Sequence, residues 1–340
     1  MVLTERQRAV LGAVIRGYVA MATPVGSKAL LAQPGLGVSS ATIRHEMALL
    51  EREGYMTHPH TSAGRVPTEK GYRYFVEHLM GETELSLEEQ RTISHQFHQA
   101  RLDLEQWVRL SATVLAHSAR NAALVTSPKA RRSRLKHLEL ISTGHKAALL
   151  VLVLQGGTIR QEIITALPAF SQEELNRLAN ELNATLGNLS AEEIRGALPW
   201  LGEFPGRVAQ CLMGQMEQAN GKESGEVYHE GLAHILRQPE FSHVERVERI
   251  LELLRRRWFM ESLLEDMGTS RGGVQILIGG EGRWVEMEDF SLILSRYGVA
   301  QEATGILGIL GPTRMPYERC VSVVRYVAGL MTDLLSTLVA

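Results

Sequence analysis

The chain has 340 residues, enough for two or three domains, and its net charge of −2 gives no indication of a nucleic-acid partner. Residues 1–80 nevertheless contain nine Lys and Arg against six Asp and Glu, a local charge of +3 on an acidic remainder, as in DNA-binding proteins that do not coat DNA indiscriminately. Cys211 and Cys320 lie far apart and form no CxxC motif, which argues against a disulfide framework or a structural zinc site.

The N-terminal segment predicts two helices in succession. Residues 4–7, Thr-Glu-Arg-Gln, form a capping box, and apolar residues with helical spacing follow it. Pro24 interrupts that pattern, and a short second helix is predicted at about 27–31. Glycines then lead into a third helix.

The third predicted helix carries the surface that we expect to read DNA. Ile43, Met47 and Leu50 fall on one face, which must be buried. The opposite face combines alanines with polar residues, so the helix can approach another surface closely while longer side chains reach past it. The helix N-terminus is itself a phosphate site. Five residues of this segment are predicted to contact DNA: Ser39, Ser40, Thr42, Arg44 and His45.

A hairpin is predicted after Gly54, the residue that closes the third helix. Residues 55–59 and 65–68 can pair across the loop 61–64, which ends in glycine. Helix, short helix, helix and hairpin in this order form a winged helix-turn-helix, whose third helix enters the major groove. The alternative, a small helical domain with a hairpin for protein contacts, leaves the small-residue helix face unexplained. The wing adds three candidate DNA contacts: Thr61, Ser62 and Arg65.

Several segments resemble one family, the heat-inducible transcription repressors (HrcA), which repress bacterial chaperone operons. The N-terminal segments are PVGSKALL, VSSATIRHEMALLEREGY and HPHTSAGRVPTEKGYRYFV, and the C-terminal one is GILGILGPTRMPYERCVSVVRYV. The resemblance runs from about Leu3 to Leu335, and the wing motif is its most specific part. The family often has Asn where this chain has His45.

The resemblance implies an α+β multidomain chain in which a GAF-like α/β domain is interrupted by an inserted dimerising domain. It also implies an inverted repeat in chaperone operons as the operator and a GroEL-type chaperonin as the partner that restores the DNA-competent form. The expected domains are a winged helix-turn-helix at 1–80, a connecting helical region at 81–120, the GAF-like domain at 121–199 and 267–340, and the insert at 200–266.

The pattern of the body changes from helical to extended after the connecting region. Strands are predicted at 135–142, Ala147–Leu154, 158–165, Val274–Ile278, 291–297 and 304–310, with a final helix from about Pro316. Such distant strands can share one sheet if the residues between them are an insertion. Within the expected insert, an apolar stripe over 244–259 is either intradomain core or a dimer interface. A repressor that reads a palindrome as a two-fold pair favours the interface, as does the resemblance.

No constellation of residues argues for catalysis, since Ser-His-Asp sets, HExxH and Walker motifs are absent from the sequence. His95 and His98 lack a third metal ligand, and the glycines at 279–282 predict a turn and no nucleotide loop. Residues 311–316 are either a structural turn or an anion-binding helix start. We therefore expect no enzyme, no cofactor and no metal. The longest apolar run, Ala147–Leu154, is too short to span a bilayer, and no N-terminal signal is evident, so we expect a cytoplasmic protein without a membrane partner.

Two functions remain after these exclusions. The first is a DNA-binding repressor that, as the resemblance implies, is a negative regulator of heat-shock (chaperone) operons, binds double-stranded operator DNA as a homodimer and loses activity on heat stress. The alternative is a GAF-type transcription regulator that senses a small molecule. In the first case the switch lies in the body's own stability, because pairing distant strands across an insertion is slow and the many glycines add chain entropy.

Overall fold

The structure is a computed structural model. It describes residues 3–31, 36–59, 64–81, 83–100, 103–130, 133–144, 146–155, 157–165, 170–222, 227–242, 244–255, 273–280, 287–299 and 303–339. The chain forms two compact units, called here the main unit and the insert unit. The main unit comprises Met1–Ser127, Val227–Tyr297 and Ile306–Met331, and the insert unit comprises Pro128–Glu226, Gly298–Gly305 and Thr332–Ala340.

The described helices and strands are as follows. The helices are α1 (Glu5–Met21), α2 (Ser27–Leu30), α3 (Ser40–Arg52), α4 (Glu69–Tyr74), α5 (Leu87–Gln99), α6 (Leu104–Ala119), α7 (Gln172–Leu186), α8 (Ala191–Ala197), α9 (Glu203–Lys222), α10 (Leu232–Leu236), α11 (Val244–Arg255) and α12 (Tyr317–Val339). Short helical turns follow at Phe75–Leu79, Leu198–Trp200 and Pro239–Phe241. The strands are β1 (Met56–Thr57), β2 (Val66–Pro67), β3 (Ala122–Thr126), β4 (Lys129–Ala130), β5 (Leu135–Gly144), β6 (Ala147–Leu154), β7 (Ile159–Ile164), β8 (Val227–Glu230), β9 (Val274–Ile278), β10 (Phe290–Val299) and β11 (Ala303–Pro312).

The helix ends of the N-terminal segment follow the predicted caps. The Thr4 hydroxyl accepts a hydrogen bond from the Gln7 amide, and the Gln7 side chain returns one to the Thr4 amide, so the capping box is confirmed. Gly54 follows α3 with φ of 79°, and the Tyr55 amide donates to the Leu50 carbonyl at 2.9 Å. These contacts form a Schellman motif, which confirms the predicted end of the third helix.

The main unit is built on an antiparallel sheet in the order β8-β3-β11-β10-β9. The predicted strands at 274–278, 291–297 and 304–310 are confirmed as β9, β10 and β11. Helix α11 packs on this sheet through Ile250 and Val247, which join a core cluster with Phe241 and Phe290. For the described part of the 244–259 stripe, the structure therefore supports the intradomain core; residues 256–259 lie outside the described residues.

The insert unit is an antiparallel three-stranded sheet in the order β5-β6-β7, covered on one face by α7, α8 and α9. All three predicted strands are confirmed. Side-chain amides satisfy the free edge of β5: Asn183 bonds both the amide and the carbonyl of Leu138, at 2.8 and 2.9 Å. Such covering protects an edge strand from pairing with another chain.

The boundaries of the insert unit differ from the predicted insertion at 200–266. The insert unit takes in the three strands expected in the GAF-like domain, while Val244–Arg255 belongs to the main unit. The physical reason is that the β5-β6-β7 sheet buries its leucines against α7–α9 and so has a core of its own.

One described helix segment, Tyr317–Thr337 within α12, is long and apolar enough to cross a membrane, with a mean hydropathy of 1.2. Half of that window is buried inside the fold. Val323, Val324 and Val327 are fully buried, as in the core helix of a globular protein.

Candidate nucleic-acid interface

Helix α3 is held against α1 and α2 by its apolar face. Ile43, Met47 and Leu50 are at most 1% exposed, as their spacing predicted. Glu46 shares that side and lies 3.7 Å from Arg6 of α1. The orientation of α3 is therefore set by packing, and its other side is left open to solvent.

The solvent-exposed side of α3 combines small residues with the basic side chains Arg44 and His45. Ala41 and Ala48 are exposed, and Arg44 and His45 extend beside them. Among the described residues, neither Arg44 nor His45 has a hydrogen-bond or ion-pair partner. Arg52 is likewise exposed at the C-terminal end of the same face. A helix face that exposes basic and small side chains is an arrangement that suits a DNA groove.

The serines at the start of α3 have different surroundings. The Ser39 hydroxyl caps the helix by accepting from the Thr42 amide at 3.1 Å, and it also lies 3.0 Å from the Thr42 hydroxyl. The Ser40 hydroxyl is half-buried and lies 3.1 Å from that of Ser27 in α2. Ser40 therefore joins α2 to α3, while Ser39 and Thr42 stand at the exposed helix N-terminus.

The wing is short, and a single β-bridge joins it to the segment before α2. Met56 pairs with Pro67 and Thr57 with Val66, and Val25 bridges to Arg65 through two backbone hydrogen bonds of 2.9 and 3.0 Å. The hairpin is thus confirmed over fewer residues than predicted. Thr61 and Ser62, predicted to contact DNA, lie outside the described residues.

Arg65 is paired inside the domain and is only 20% exposed. Its Nε and Nη2 atoms lie 2.9 and 2.8 Å from Oε2 of Glu51, in the last turns of α3. The Nδ1 atom of His58, on the other side of the wing, contacts Oε1 of the same carboxylate. Glu51 therefore links both sides of the wing to the recognition helix.

The electrostatics of Glu51 follow from these contacts. Burial raises the pKa of Glu51, but hydrogen bonds from His58 and Arg65, together with their charges, outweigh burial, so the net shift is downward. The carboxylate is thus held in its charged form, and its charge-assisted hydrogen bonds with His58 and Arg65 hold the wing against α3.

A second set of contacts fixes the base of the wing. Thr68 caps α4 through the Gly71 amide and donates to the Gly54 carbonyl at 2.6 Å. Lys70 donates to the Glu53 carbonyl at 2.7 Å and lies 4.4 Å from the centre of the Tyr55 ring. A lysine on the last carbonyls of α3 complements the negative end of the helix dipole.

The sequence did not point to Glu51 and Lys70, because only the tertiary fold brings their partners near them. A third missed residue is Lys28, which is exposed on α2 beside the recognition helix. The signal for Lys28 was present, because a basic residue in the helix that precedes a recognition helix is placed to reach the DNA backbone.

The other candidate sites of the sequence analysis, the His95/His98 pair and the 311–316 segment, make ordinary structural contacts. His98 contacts the Ser94 carbonyl at 2.7 Å on an exposed helix face, and within the described residues no group of three potential metal-ligating side chains was found. The 311–316 segment is a turn in which the Met315 amide donates to the Pro312 carbonyl at 2.9 Å.

These elements define an α+β protein whose N-terminal part presents a helix with exposed Arg44, His45 and Arg52 beside a small hairpin. Its similarity to known proteins is extensive. Residues 105–321 match the family model described as the HrcA protein C terminal domain. The chain is 47% identical to the heat-inducible transcription repressor HrcA of Roseiflexus castenholzii, over 99% of this chain and 95% of that one, and 44% identical to that of Thermomicrobium roseum, over 99% and 96%. A solved structure, a hypothetical protein at 2.2 Å resolution, has the same fold over 99% of both chains with a TM-score of 0.65 at 24% identity.

The chain therefore belongs to the HrcA family of heat-inducible transcription repressors. Its relatives' names place it among transcriptional repressors of the heat-shock response, a class of regulators and not of enzymes.

Proposed function

We propose that this repressor binds the inverted repeat of chaperone operons as a homodimer, with α3 in the major groove of each half-site and the hairpin as the wing of a winged helix-turn-helix. The observation that carries the proposal is the open face of α3, where Arg44 and His45 are exposed and unpaired among the described residues. Two alanines on that face allow close approach of the helix to the bases.

The remaining candidate residues divide by their surroundings. Ser39 and Thr42, at the N-terminus of α3, are placed to meet a phosphate. Ser40 acts by holding α2 against α3. Arg65 supports the wing through Glu51 and exchanges that carboxylate for a phosphate when DNA is bound. Thr61 and Ser62 contribute from the wing tip.

Dimerisation is proposed through the exposed face of the β5-β6-β7 sheet in the insert unit. Cross-strand pairs place Ile141, Leu149 and Ile163 in one apolar row, and Val153 and Ile159 in another. Ile159 and Ile163 are 60% and 61% exposed. A strand such as β6, apolar on both faces, is typical of a sheet that is covered on both sides. A second copy fits this face, because a two-fold pair buries the same patch from each partner and matches an inverted repeat.

We propose further that the repressor works in the cytoplasm without a cofactor and that heating inactivates it by loosening the main unit. Strands β3 and β8 pair although residues 127–226 lie between them in the chain, so their pairing closes a long loop and is regained slowly. A GroEL-type chaperonin restores the DNA-competent form, and derepression follows when other clients occupy the chaperonin.

The test is operator binding by the purified, ligand-free protein before and after mild heating, with and without chaperonin and ATP. The operator is the inverted repeat protected in a footprint on the chaperone promoters. We expect binding before heating, loss after it and recovery with chaperonin. Unchanged binding after heating would overturn the thermolability proposal. Recovery only with an added metabolite would favour a GAF-type small-molecule sensor instead.

A further inference from the structure

A largely buried arginine of the main unit, Arg314, links the N-terminal helix α1 to Gln238 and Glu240. Nη1 of Arg314 donates to the carbonyl of Val19 in α1 at 3.1 Å, and Nη2 donates to Oε1 of Gln238 at 2.7 Å. Nε and Nη2 also contact the two carboxylate oxygens of Glu240. The Arg314 and Glu240 side chains are only 13% and 21% exposed. All three guanidinium nitrogens thus have partners, and the side chain is held in one orientation.

The contact with Val19 completes the end of α1. The last carbonyls of a helix have no partner within the helix, and a cation there also complements the helix dipole. Helix α1 has no basic residue in its own last turn. Arg314, 295 residues later in the chain, supplies that cation from the turn before α12. The position of α1 therefore depends on its contact with Arg314.

The surroundings of Arg314 include buried aromatic side chains. Tyr72 of α4 is 2% exposed, its ring centre lies 5.7 Å from that of Tyr317, and its hydroxyl has no hydrogen-bond partner within the described residues. Burial, followed by the charge of Glu240, raises the pKa of Tyr18, and Arg314 partly offsets this rise. Charges in such a site are poorly screened by solvent, so the geometry of the Arg314 contacts is strongly preferred.

A second ion pair links α1 to the same C-terminal region but has a different character. Arg16 lies 3.3 Å from Glu318, and their side chains are 53% and 33% exposed. Exposed pairs of this kind contribute little, because water screens them and two long side chains must be ordered. The Arg16 pair is therefore a natural control for Arg314.

We infer that Arg314 is a positioning residue for operator recognition. It fixes α1, and with it the recognition helix packed on α1, in one orientation within the main unit, which is one geometric requirement for a defined separation of the two recognition helices in the dimer. This inference rests on the proposed function, since only a dimer that reads an inverted repeat has such a separation. A dimeric reader binds well only at the half-site spacing that its geometry allows.

The experiment compares wild type with Arg314→Met, with Arg314→Met combined with Glu240→Gln, and with the control Arg16→Met. The double variant also removes the carboxylate that Arg314→Met leaves unpaired. Each protein is titrated with the footprinted inverted repeat, with a single half-site, and with repeats whose spacer is one or two base pairs longer or shorter.

In wild type and Arg16→Met, we expect the second half-site to raise affinity on the order of 10²-fold and the altered spacers to abolish much of that gain. In both Arg314 variants, half-site affinity should stay within about twofold of wild type, while the gain from the second half-site falls about tenfold or more and spacer preference flattens.

Other results contradict the inference in distinguishable ways. A wild-type protein that gains nothing from the second half-site would contradict the proposed dimeric repressor itself. If wild type behaves as expected but the double variant keeps its spacer preference, Arg314 does not position the helices. A double variant that loses half-site and full-site affinity in equal proportion shows a role in folding alone, which also overturns the inference.

Discussion

At the scale of single residues, Arg44 and Arg65 have the same charge in opposite environments. Arg44 is exposed and has no partner among the described residues, whereas Arg65 is ion-paired with Glu51 and mostly buried. The first is free to reach a base edge without losing a protein contact. The second must exchange one partner for another, so its contribution to DNA binding is coupled to the position of the wing.

Replacing Arg44 or Arg65 with alanine should therefore have different effects on DNA binding. Arg44→Ala should cost roughly 1–3 kcal/mol at one operator position and relax specificity there. Arg65→Ala should weaken all sequences more evenly and reduce the salt slope by about one. The measurement is affinity for a panel of single-base operator variants at several salt concentrations. Arg91→Ala, at an exposed position on α5, is the control and should leave both quantities unchanged. Equal loss of discrimination in the Arg44 and Arg65 variants would refute the division.

Glu51 gives the wing a dependence on pH. In the folded state the pKa of Glu51 lies below the ordinary value of 4.5. The contacts of Glu51 therefore stabilise the fold fully at a pH above 4.5, and this stabilisation is lost as the pH falls through the folded-state pKa. The stability difference between wild type and Glu51→Gln should therefore be largest near neutral pH and shrink as the pH falls below the ordinary value of 4.5. Urea unfolding at a series of pH values measures it. The exposed Glu84, replaced in the same way, should give a difference that does not vary in this manner. A Glu51 difference that grows on acidification would contradict the assignment.

At the scale of secondary-structure elements, the wing and α4 meet so closely that a side chain is excluded. A Cβ atom added to Gly71, in the first turns of α4, would lie 2.1 Å from the carbonyl oxygen of Tyr55. That oxygen also accepts a hydrogen bond from the Thr68 amide at 3.1 Å, so it cannot move away without loss. Glycine is unfavourable in most helices, but here it allows two backbones to touch.

Gly71→Ala should destabilise the main unit by about 1–3 kcal/mol, because the clash is with backbone and not with a flexible side chain. Gly329→Ala in α12 is the matched control, since it is a helical glycine with open space around it. That change should stabilise the protein by roughly 0.5–1 kcal/mol. The midpoint temperature of thermal unfolding should therefore fall for Gly71→Ala and rise for Gly329→Ala. A Gly71→Ala protein as stable as wild type would show that the wing can move away from α4.

At the scale of the whole molecule, the exposed sheet face of the insert unit governs the proposed assembly. Its two apolar rows are separated by Glu139, Val151 and Gln161, so the face is apolar without being uniformly so. Contiguous exposed apolar surface of this kind is unusual on a protein that acts as a monomer.

Ile163→Asp should convert the dimer to a monomer and reduce affinity for the full inverted repeat to that for a half-site. The reason is that a charge buried without a partner is costly at an interface. Light scattering and operator titration measure both effects. Leu87→Asp is the control, since Leu87 is 71% exposed but stands alone at the start of α5. If Ile163→Asp remains dimeric, the second copy does not bind to this face.

Much of the local structure could be predicted from the sequence because its causes lie within a few residues. The capping box at Thr4 and the glycine cap at Gly54 act over at most five positions, and both are present as predicted. Strand β6 was likewise recognisable from a local feature, an unbroken run of eight apolar residues. Strand β3 was missed because its five residues, AALVT, give neither a long apolar run nor an alternating pattern.

The interface and the domain boundaries depend on contacts between distant residues, and only the tertiary structure decides them. Arg65 was predicted to contact DNA from the wing, and the structure adds that it pairs with a carboxylate 14 residues earlier in the chain. Arg314 was placed in a turn, and its partners lie 74 and 295 residues away. The main segment of the insert unit, Pro128–Glu226, begins and ends earlier in the chain than the predicted 200–266, because the β5–β7 sheet has a core of its own. Periodicity and caps describe how a segment folds, but the choice of partner depends on the path of the whole chain.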